Sequence, residues 1–191
     1  MKNLHAQIIL ILSLQFMCIT GYSQKDTTSE KRIISYIDST HSPELVLIQE
    51  FKVKASISKV WEAYTTKKGY ESWAVPIAEI DLKVGGTIKT NYNKDGAIGD
   101  SSTIVTHIIN YVPFQILTLQ AEITDNFPAF MKSEEKDFYN LIYFEALSEN
   151  QTRIKSYGIG YKNTPKYLEL MNYFILGNEA TLKQLIRYLE E

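Results

Sequence analysis

Cysteine and histidine are scarce in this chain, which limits the chemistry it can carry. Of its 191 residues one is cysteine, Cys18, and three are histidine. A metal centre needs several converging nitrogen, oxygen or sulfur ligands, and a disulfide needs two thiols. We therefore predict no metal site, no disulfide and no cofactor. We interpret His107, whose strand face also carries Val105 and Ile109, as a hydrogen-bonded structural residue, and His41 as a solvated linker residue.

An excess of basic charge is also absent. The chain has 20 basic and 22 acidic residues and a net charge of −2, so we predict no nucleic-acid partner. Glycine and proline are few, at 9 and 5, while 45% of the residues are hydrophobic and 22% are charged. This composition is typical of one globular domain and excludes a disordered or fibrous chain.

Motifs of common catalytic sites are missing. No serine lies in a Gly-x-Ser-x-Gly sequence, and Gly85-Gly86 is not followed by the Lys-Ser/Thr of a phosphate loop. Glu134 and Glu135 are adjacent in sequence and need not converge on a substrate, so we interpret them as part of a solvated loop. The sequence therefore points to no catalytic residue.

Long apolar runs are confined to the amino end. Lys2 precedes the apolar stretch 8–14, and Gly21-Tyr22-Ser23 has small residues at the two positions that a signal peptidase reads. We predict a signal peptide over residues 1–23, cleavage before Gln24, and export to the periplasm or the medium. Cleavage leaves a net charge of −3 and no stable membrane span. An uncleaved anchor is the alternative.

The remaining chain alternates strand and helix patterns. We interpret residues 24–43 as a polar linker, in which Ile33, Ile34 and Ile37 have the spacing of one short amphipathic helix. A strand over 45–55 precedes two short helices, which contain Trp61 and Trp73. Six strands then follow, over 79–84, 87–92, 101–111, 115–123, 139–147 and 153–161. Thr164-Pro165 begins a long helix with one apolar stripe. This order predicts an α+β domain with an antiparallel sheet and its major helix on one face.

Several short motifs lie along this order of elements: FKVKAS at 51–56, VWEA at 60–63, WAVP at 73–76, DLKVGG at 81–86, TRI at 152–154 and GNEA at 177–180. With their spacing, the chain resembles the START-like, or SRPBCC, superfamily, and its activator-of-heat-shock-ATPase-like (AHSA-like) branch. The resemblance covers nearly all of residues 45–191. It implies a helix-grip fold over 44–191, in which a curved antiparallel sheet wraps around the long C-terminal helix and two short helices follow the first strand.

The chain departs from the family pattern at two places. The family usually has Trp after the glycine of the long helix, where this chain has Asn178, and the segment 125–137 is longer than the pattern implies. Members of the superfamily hold ligands in this region, so the resemblance does not identify a ligand. An exported chain would also not meet a cytosolic heat-shock ATPase.

Small side chains on one strand predict a cavity beneath the long helix. Ser156, Gly158 and Gly160 alternate along one face, although close backbone packing or a bulge would use the same residues. Asn178 is a lone amide on the apolar stripe of the long helix that would face this strand. If it is buried, it must form a hydrogen bond with the sheet, a water or a ligand. Apolar residues set among charges make the segment 125–137 a predicted mobile lid, with a permanently packed cover as the alternative. The residues that we predict to bind ligand are Trp73, Phe130, Ser156, Gly158, Met171, Phe174 and Asn178.

Three function classes remain open. The leading hypothesis is an exported, non-catalytic domain that binds a small, mostly apolar molecule in this cavity. The second is a cyclase- or aromatase-like enzyme, as known in the superfamily, with His107 as a base. The third is a protein-interaction domain whose cavity is closed. A binder predicts an apolar pocket with one or two polar anchors, and an enzyme predicts a perturbed titratable group inside it. The oligomeric state is not predicted.

Overall fold

The computed structural model describes residues 31–125 and 127–191. Its strands are β1 (Ile33–Asp38), β2 (Glu44–Val53), β3 (Ile77–Ile80), β4 (Thr87–Asn91), β5 (Ile104–Val112), β6 (Ile116–Ala121), β7 (Tyr139–Ser148) and β8 (Gln151–Lys162). Its helices are α1 (Ile57–Thr65), α2 (Lys67–Glu71), α3 (Ala129–Lys132) and α4 (Pro165–Glu190), with a 3₁₀ turn at Glu135–Asp137. The signal peptide predicted over residues 1–23 lies outside the described residues and stays a prediction.

The strands form one antiparallel sheet in the order β1-β2-β8-β7-β6-β5-β4-β3. The sheet curves around α4, which packs against its concave face. This arrangement confirms the predicted α+β helix-grip fold. It leaves β1 and β3 as the two edges of the sheet and places β8 and β7 near its middle.

Within residues 24–43, the structure corrects our prediction of a short helix at Ile33, Ile34 and Ile37. The three isoleucines form strand β1 instead of a helix, and β1 pairs with β2 from Ile33↔Phe51 to Asp38↔Val46. Ile33 is 2% exposed and its neighbour Ile34 is 57% exposed, which is the alternation of a strand. Pairing with β2 satisfies the backbone groups on one side of this edge strand and buries Ile33. The two short helices therefore follow the second strand and not the first.

Helix boundaries follow the expected capping chemistry. The Ser56 side-chain oxygen accepts the Lys59 N–H at 3.3 Å at the start of α1, and the Thr66 hydroxyl accepts the Gly69 N–H at 3.0 Å at the start of α2. Pro165 occupies the first turn of α4, where its missing N–H costs no helical hydrogen bond. These caps fix where each helix leaves the sheet.

The main core lies between α1, the C-terminal half of α4 and the sheet. Leu185 and Leu189 of α4 are buried there, so the apolar stripe of α4 faces the sheet as predicted. The rings of Trp61 and Tyr64 meet the ring of Phe144 edge-on, with centroids 5.6 and 5.2 Å apart. The core thus fixes one end of α4 firmly against the concave face.

Candidate functional site

A second apolar cluster lies against the N-terminal half of α4, separate from the main core. Its buried members, which we call the second cluster, are Leu45, Leu47, Met131, Phe138, Tyr161, Tyr167, Leu170 and Met171. The ring centroids of Phe138 and Tyr161 are 5.5 Å apart, and those of Tyr161 and Tyr167 are 6.1 Å apart. The cluster is therefore rich in aromatic surface with polar tips, unlike an aliphatic core.

A bulge in β8 brings Tyr161 into this cluster. Leu47 pairs with Gly158, but Leu45 pairs with Tyr161, so β8 has one residue more than β2 at this place. Gly160 has φ +95, a conformation that glycine adopts without strain. The prediction that Gly160 shares a face with Ser156 is therefore wrong, because the extra residue ends the alternation and turns Tyr161 to the concave side.

Residues 127–137, which we call the covering segment, close the second cluster from outside. Met131 of α3 is buried in the cluster, and the Phe130 ring meets the Tyr167 ring edge-on at 5.1 Å. A Cβ at Gly160 would lie 2.0 Å from the backbone oxygen of Asp137, so the 3₁₀ turn packs directly on β8. The apolar residues of this segment therefore fold onto the inner cluster, and not onto the outer sheet edge.

One carboxylate of the covering segment reaches across to β8 and α4. Glu134 accepts a hydrogen bond from the Tyr167 hydroxyl, and its Oε1 lies 3.0 Å from the Lys162 ammonium. The bond from Tyr167, then the one from Lys162, lower the pKa of Glu134. Burial, followed by the bond to Glu134, raises the pKa of Tyr167. A charged acceptor thus sits at the rim of an aromatic cluster.

A band of polar side chains separates the second cluster from the main core. The Asn178 amide of α4 donates to Gln49 Oε1 at 2.8 Å, and Gln49 Nε2 donates to Ser35 Oγ at 3.1 Å. Gln49 is only 2% exposed. Both ends of its amide are bonded, as a buried amide requires. We call Ser35, Gln49, Asn140, Ser156 and Asn178 the polar band.

The polar band continues along the sheet to a place that water reaches. Ser156, which pairs with Gln49, donates its hydroxyl to Asn140 Oδ1 at 2.7 Å. Asn140 alternates with the buried Ile142 and Phe144, so it lies on the concave face, yet it is exposed. The concave face is therefore open beside the second cluster, with hydroxyl and amide groups on its floor.

Most of the predicted ligand-binding residues meet in this region. Met171 is buried in the second cluster, Phe174 packs against it, and Phe130 lies in its cover. Ser156 and Asn178 belong to the polar band. A Cβ at Gly158 would lie 3.2 Å from the Tyr161 ring, so that ring fills part of the space we predicted above this glycine.

Trp73 does not lie with the others. It is buried in the main core, its ring centroid is 5.2 Å from that of Tyr64, and its Nε1 donates to the Ala63 carbonyl at 2.9 Å. Proximity to Pro76 in sequence suggested a position near the mouth, but Trp73 lies in the turn just after α2, and not within that helix as predicted, and its indole folds back onto α1. Its satisfied N–H and its burial give it a packing role.

Sequence reasoning missed several residues of the site. Gln49 carries a signal that could have found it, since Leu47, Gln49 and Phe51 alternate on a face that is otherwise apolar. Asn140 and Tyr161 carry no comparable signal, because their orientation depends on strand register and on the bulge. Glu134 looked like a solvated residue because its partners are remote in sequence.

His107 lies on the opposite face of the sheet. It alternates with the buried Ile108 of β5, and its Nε2 is 2.8 Å from Glu122 Oε1. This agrees with a hydrogen-bonded structural histidine. Its imidazole therefore cannot serve as a base for a molecule held on the concave face.

A further groove of about 540 Å³ lies between β1 and the C-terminal half of α4. Four of its charged groups form two ion pairs, with Arg32 Nη2 2.6 Å from Glu190 Oε1 and Lys31 Nζ 3.0 Å from Glu179 Oε1. These pairs tie the start of β1 to α4. None of the residues that line the groove belongs to the second cluster, and we assign it this structural role.

Neither a membrane helix nor a metal cluster is found in the described part of the chain. Over residues 31–125 and 127–191, no helix combines the length and apolar character needed to cross a bilayer. The same ranges contain no group of three or more His, Cys, Asp and Glu side chains that could hold a metal ion.

The fold defines a START-like domain of the helix-grip class. The family described as "Activator of Hsp90 ATPase homolog 1-like protein" matches residues 54–190. The chain belongs to this family. The match includes the second cluster from Met131 onward and the whole of α4, whereas β1 and the whole of β2 precede it.

Solved structures share this fold at low sequence identity. The Aha1 dimer of Colwellia psychrerythraea is 19% identical, with a TM-score of 0.57 over 76% of this chain and 96% of that one. CalU16 of Micromonospora echinospora is 16% identical, with a TM-score of 0.57 over 82% and 85%. EF2215 of Enterococcus faecalis, a conserved protein of unknown function, is 15% identical, with a TM-score of 0.56 over 82% and 77%. Among curated proteins, no significant match is found.

Proposed function

We propose that this chain is an exported, non-catalytic START-like domain that binds a small, mostly apolar molecule between the sheet and the N-terminal half of α4. The observation that carries the proposal is the second cluster. It is an aromatic unit apart from the main core, it is closed by a segment of short elements, and it lies beside an open part of the concave face.

The composition of this region suits an apolar ligand with one or two polar groups. Phe138, Tyr161 and Phe174 offer aromatic surface, while Ser156 and Asn140 offer a hydroxyl and an amide on the open floor. Ligand sites are commonly apolar with a few placed polar groups. A molecule that enters beside Asn140 would exchange water contact for aromatic contact at about 25 cal/mol per Å² of apolar area.

The groups in this region support binding more than catalysis. The polar band consists of amides and hydroxyls, which do not titrate near neutral pH. Burial raises the pKa of Tyr161 to about 12, so its phenol is a poor proton donor there and its phenolate is scarce. His107, the base considered for an enzyme, faces the other side of the sheet.

Export rests on the amino-terminal pattern, and it has its own test. We expect the protein recovered from cell fractions of its own host to begin near Gln24 and to lie outside the cytoplasm. Amino-terminal sequencing of the fractions measures this. Recovery of intact Met1 in the cytoplasmic fraction would contradict export.

Native mass spectrometry of the protein from its own host tests ligand binding. We expect a co-purified small molecule in the wild type and its loss in Ser156→Phe, which places a ring over the open floor. The control is Lys155→Phe, the next residue on β8, which faces the convex side and should keep the adduct. A Ser156→Phe protein that keeps the adduct would contradict the site. A wild type that carries no adduct and does not bind 8-anilinonaphthalene-1-sulfonate would contradict the function.

A further inference from the structure

Glu134 is surrounded by groups that together recognise an anion. The Tyr167 hydroxyl donates to Oε2, and the Lys162 ammonium lies 3.0 Å from Oε1. The Lys166 ammonium, 4.5 Å from the centre of the Phe130 ring, adds a second positive charge that acts on this carboxylate. One phenol and one ammonium group thus contact this carboxylate at the rim of the second cluster, and a second ammonium, over the Phe130 and Tyr167 rings, acts on it through its charge.

The neighbouring acid of the covering segment behaves differently. Glu135 Oε1 accepts the Ile123 backbone N–H at 2.9 Å, just before the segment begins. That bond braces the local chain and involves no group of β8 or α4. Glu134, in contrast, belongs to the covering segment, whereas its donors belong to β8 and α4. A bound acid would meet these donors in the same way.

We propose that the Tyr167 hydroxyl, with Lys162 and Lys166, forms a subsite for the acid group of an amphiphilic ligand, and that Glu134 fills this subsite while no ligand is bound. The inference rests on the proposed function and adds the class of ligand, an apolar molecule that bears a carboxylate. Its apolar part would lie against the second cluster, directly beneath these donors.

Physical chemistry favours an acid over a neutral molecule here. Hydrogen bonds to a charged acceptor are about twice as strong as those between neutral groups. Two carboxylates cannot share these donors without repulsion, so an incoming acid must displace Glu134. Glu134 lies at the rim, and its side chain can turn out to water once it is released. A neutral ligand has no reason to displace it.

The test is calorimetric titration of the full mature chain with decanoate and with decan-1-ol, which differ in the acid group. Glu134→Gln keeps the size of the side chain but removes the competing charge. We expect it to bind decanoate about tenfold more tightly than the wild type, and decan-1-ol within about twofold. The matched control is Glu135→Gln, which should bind both probes as the wild type does.

A second variant keeps the test decisive if Glu134→Gln does not fold. Glu134→Ala removes the competing carboxylate altogether, and it should likewise bind decanoate about tenfold more tightly than the wild type and leave decan-1-ol binding unchanged. Adding Lys162→Gln, an exposed change at the end of β8, should then weaken decanoate binding about fivefold, because no Glu134 carboxylate remains to lose the same contact. Circular dichroism verifies that each variant is folded.

The outcomes separate this inference from the function on which it rests. Suppose that decan-1-ol binds and that neither Glu134 variant changes the ratio of the affinity for decanoate to the affinity for decan-1-ol. The acid subsite is then overturned and the binding function stands. If neither probe binds the wild type or any folded variant, the binding function and the subsite are both overturned. A gain for decanoate alone in Glu134→Gln or Glu134→Ala, with a loss when Lys162→Gln is added to either variant, supports the subsite.

Discussion

The bond between Asn178 and Gln49 gives the most direct test of the polar band. Gln49 is buried, and its Oε1 accepts from the Asn178 amide at 2.8 Å. Asn178→Ala removes that donor and leaves a buried carbonyl oxygen with an unmet hydrogen bond. Such a loss costs about 1–3 kcal/mol. Asn178 is itself exposed, so water can partly replace it, and we expect the lower part, about 1–2 kcal/mol.

Thermal melting followed by circular dichroism measures the effect. For a chain of this length, each kcal/mol shifts Tm by about 2–4 °C, so Asn178→Ala should lower Tm by about 2–8 °C. The control is Asn172→Ala, an exposed change six residues earlier on α4. Because both replace Asn by the same better helix former, propensity cancels and the difference reports the bond to Gln49.

A double-mutant cycle decides whether the bond itself is responsible. In a Gln49→Leu background the acceptor is gone, so adding Asn178→Ala should cost much less than it does alone. If Asn178→Ala and Asn172→Ala have the same Tm, the polar band does not stabilise α4, contrary to what the structure indicates. The same conclusion follows if Asn178→Ala costs as much in the Gln49→Leu background as it does in the wild type.

Three further predictions concern the fold around the site. Leu185→Ala, at a fully buried position, should lower the free energy of unfolding by about 2–5 kcal/mol. Leu176→Ala, at a position 72% exposed on the same helix, should change it by no more than about 0.5 kcal/mol. Equal melting temperatures of the two variants would contradict the orientation of α4. Hydrogen bonds from the Ala97 backbone and then from a serine hydroxyl lower the pKa of Asp100 to about 2, so its stabilising contribution holds above its ordinary pKa near 4 and is lost as the pH falls towards 2. A carboxyl NMR titration with its midpoint near 4 would refute this. Gly160→Ala would place a Cβ 2.0 Å from a backbone oxygen at a residue with φ +95. Chemical denaturation should therefore show that the free energy of unfolding falls by about 1–3 kcal/mol or more. An unchanged free energy of unfolding would mean that the 3₁₀ turn does not pack on β8.

Much of the fold could be predicted because its signals are local. Pro165 in a first helical turn and the apolar stripe of α4 each depend on residues within a few positions of one another. The family resemblance then predicted that these elements are arranged in the helix-grip fold. The seven predicted site residues were less uniform, since six lie around the second cluster and the polar band, while Trp73 lies in the main core.

The errors arose where two local patterns fit the same residues. Ile33, Ile34 and Ile37 satisfy a short helical stripe, but β2 offers an unpaired edge, and backbone pairing with burial of Ile33 favours the strand. Gly160 looked like one more small residue on a face until the register of β2 and β8 required an extra residue there. In both cases the partner strand decided the conformation.

The sequence by itself determined the two short helices before β3, the long helix, most strands, the scarcity of metal ligands and the family, because capping, periodicity and composition act within short stretches of chain. Only the tertiary structure decided which side chains meet at the site. Tyr161 reaches the second cluster through a bulge, Asn140 becomes accessible through strand register, and Glu134 finds Tyr167 thirty-three residues away along the chain. These encounters depend on how separate elements pack against one another, and no local pattern records that packing.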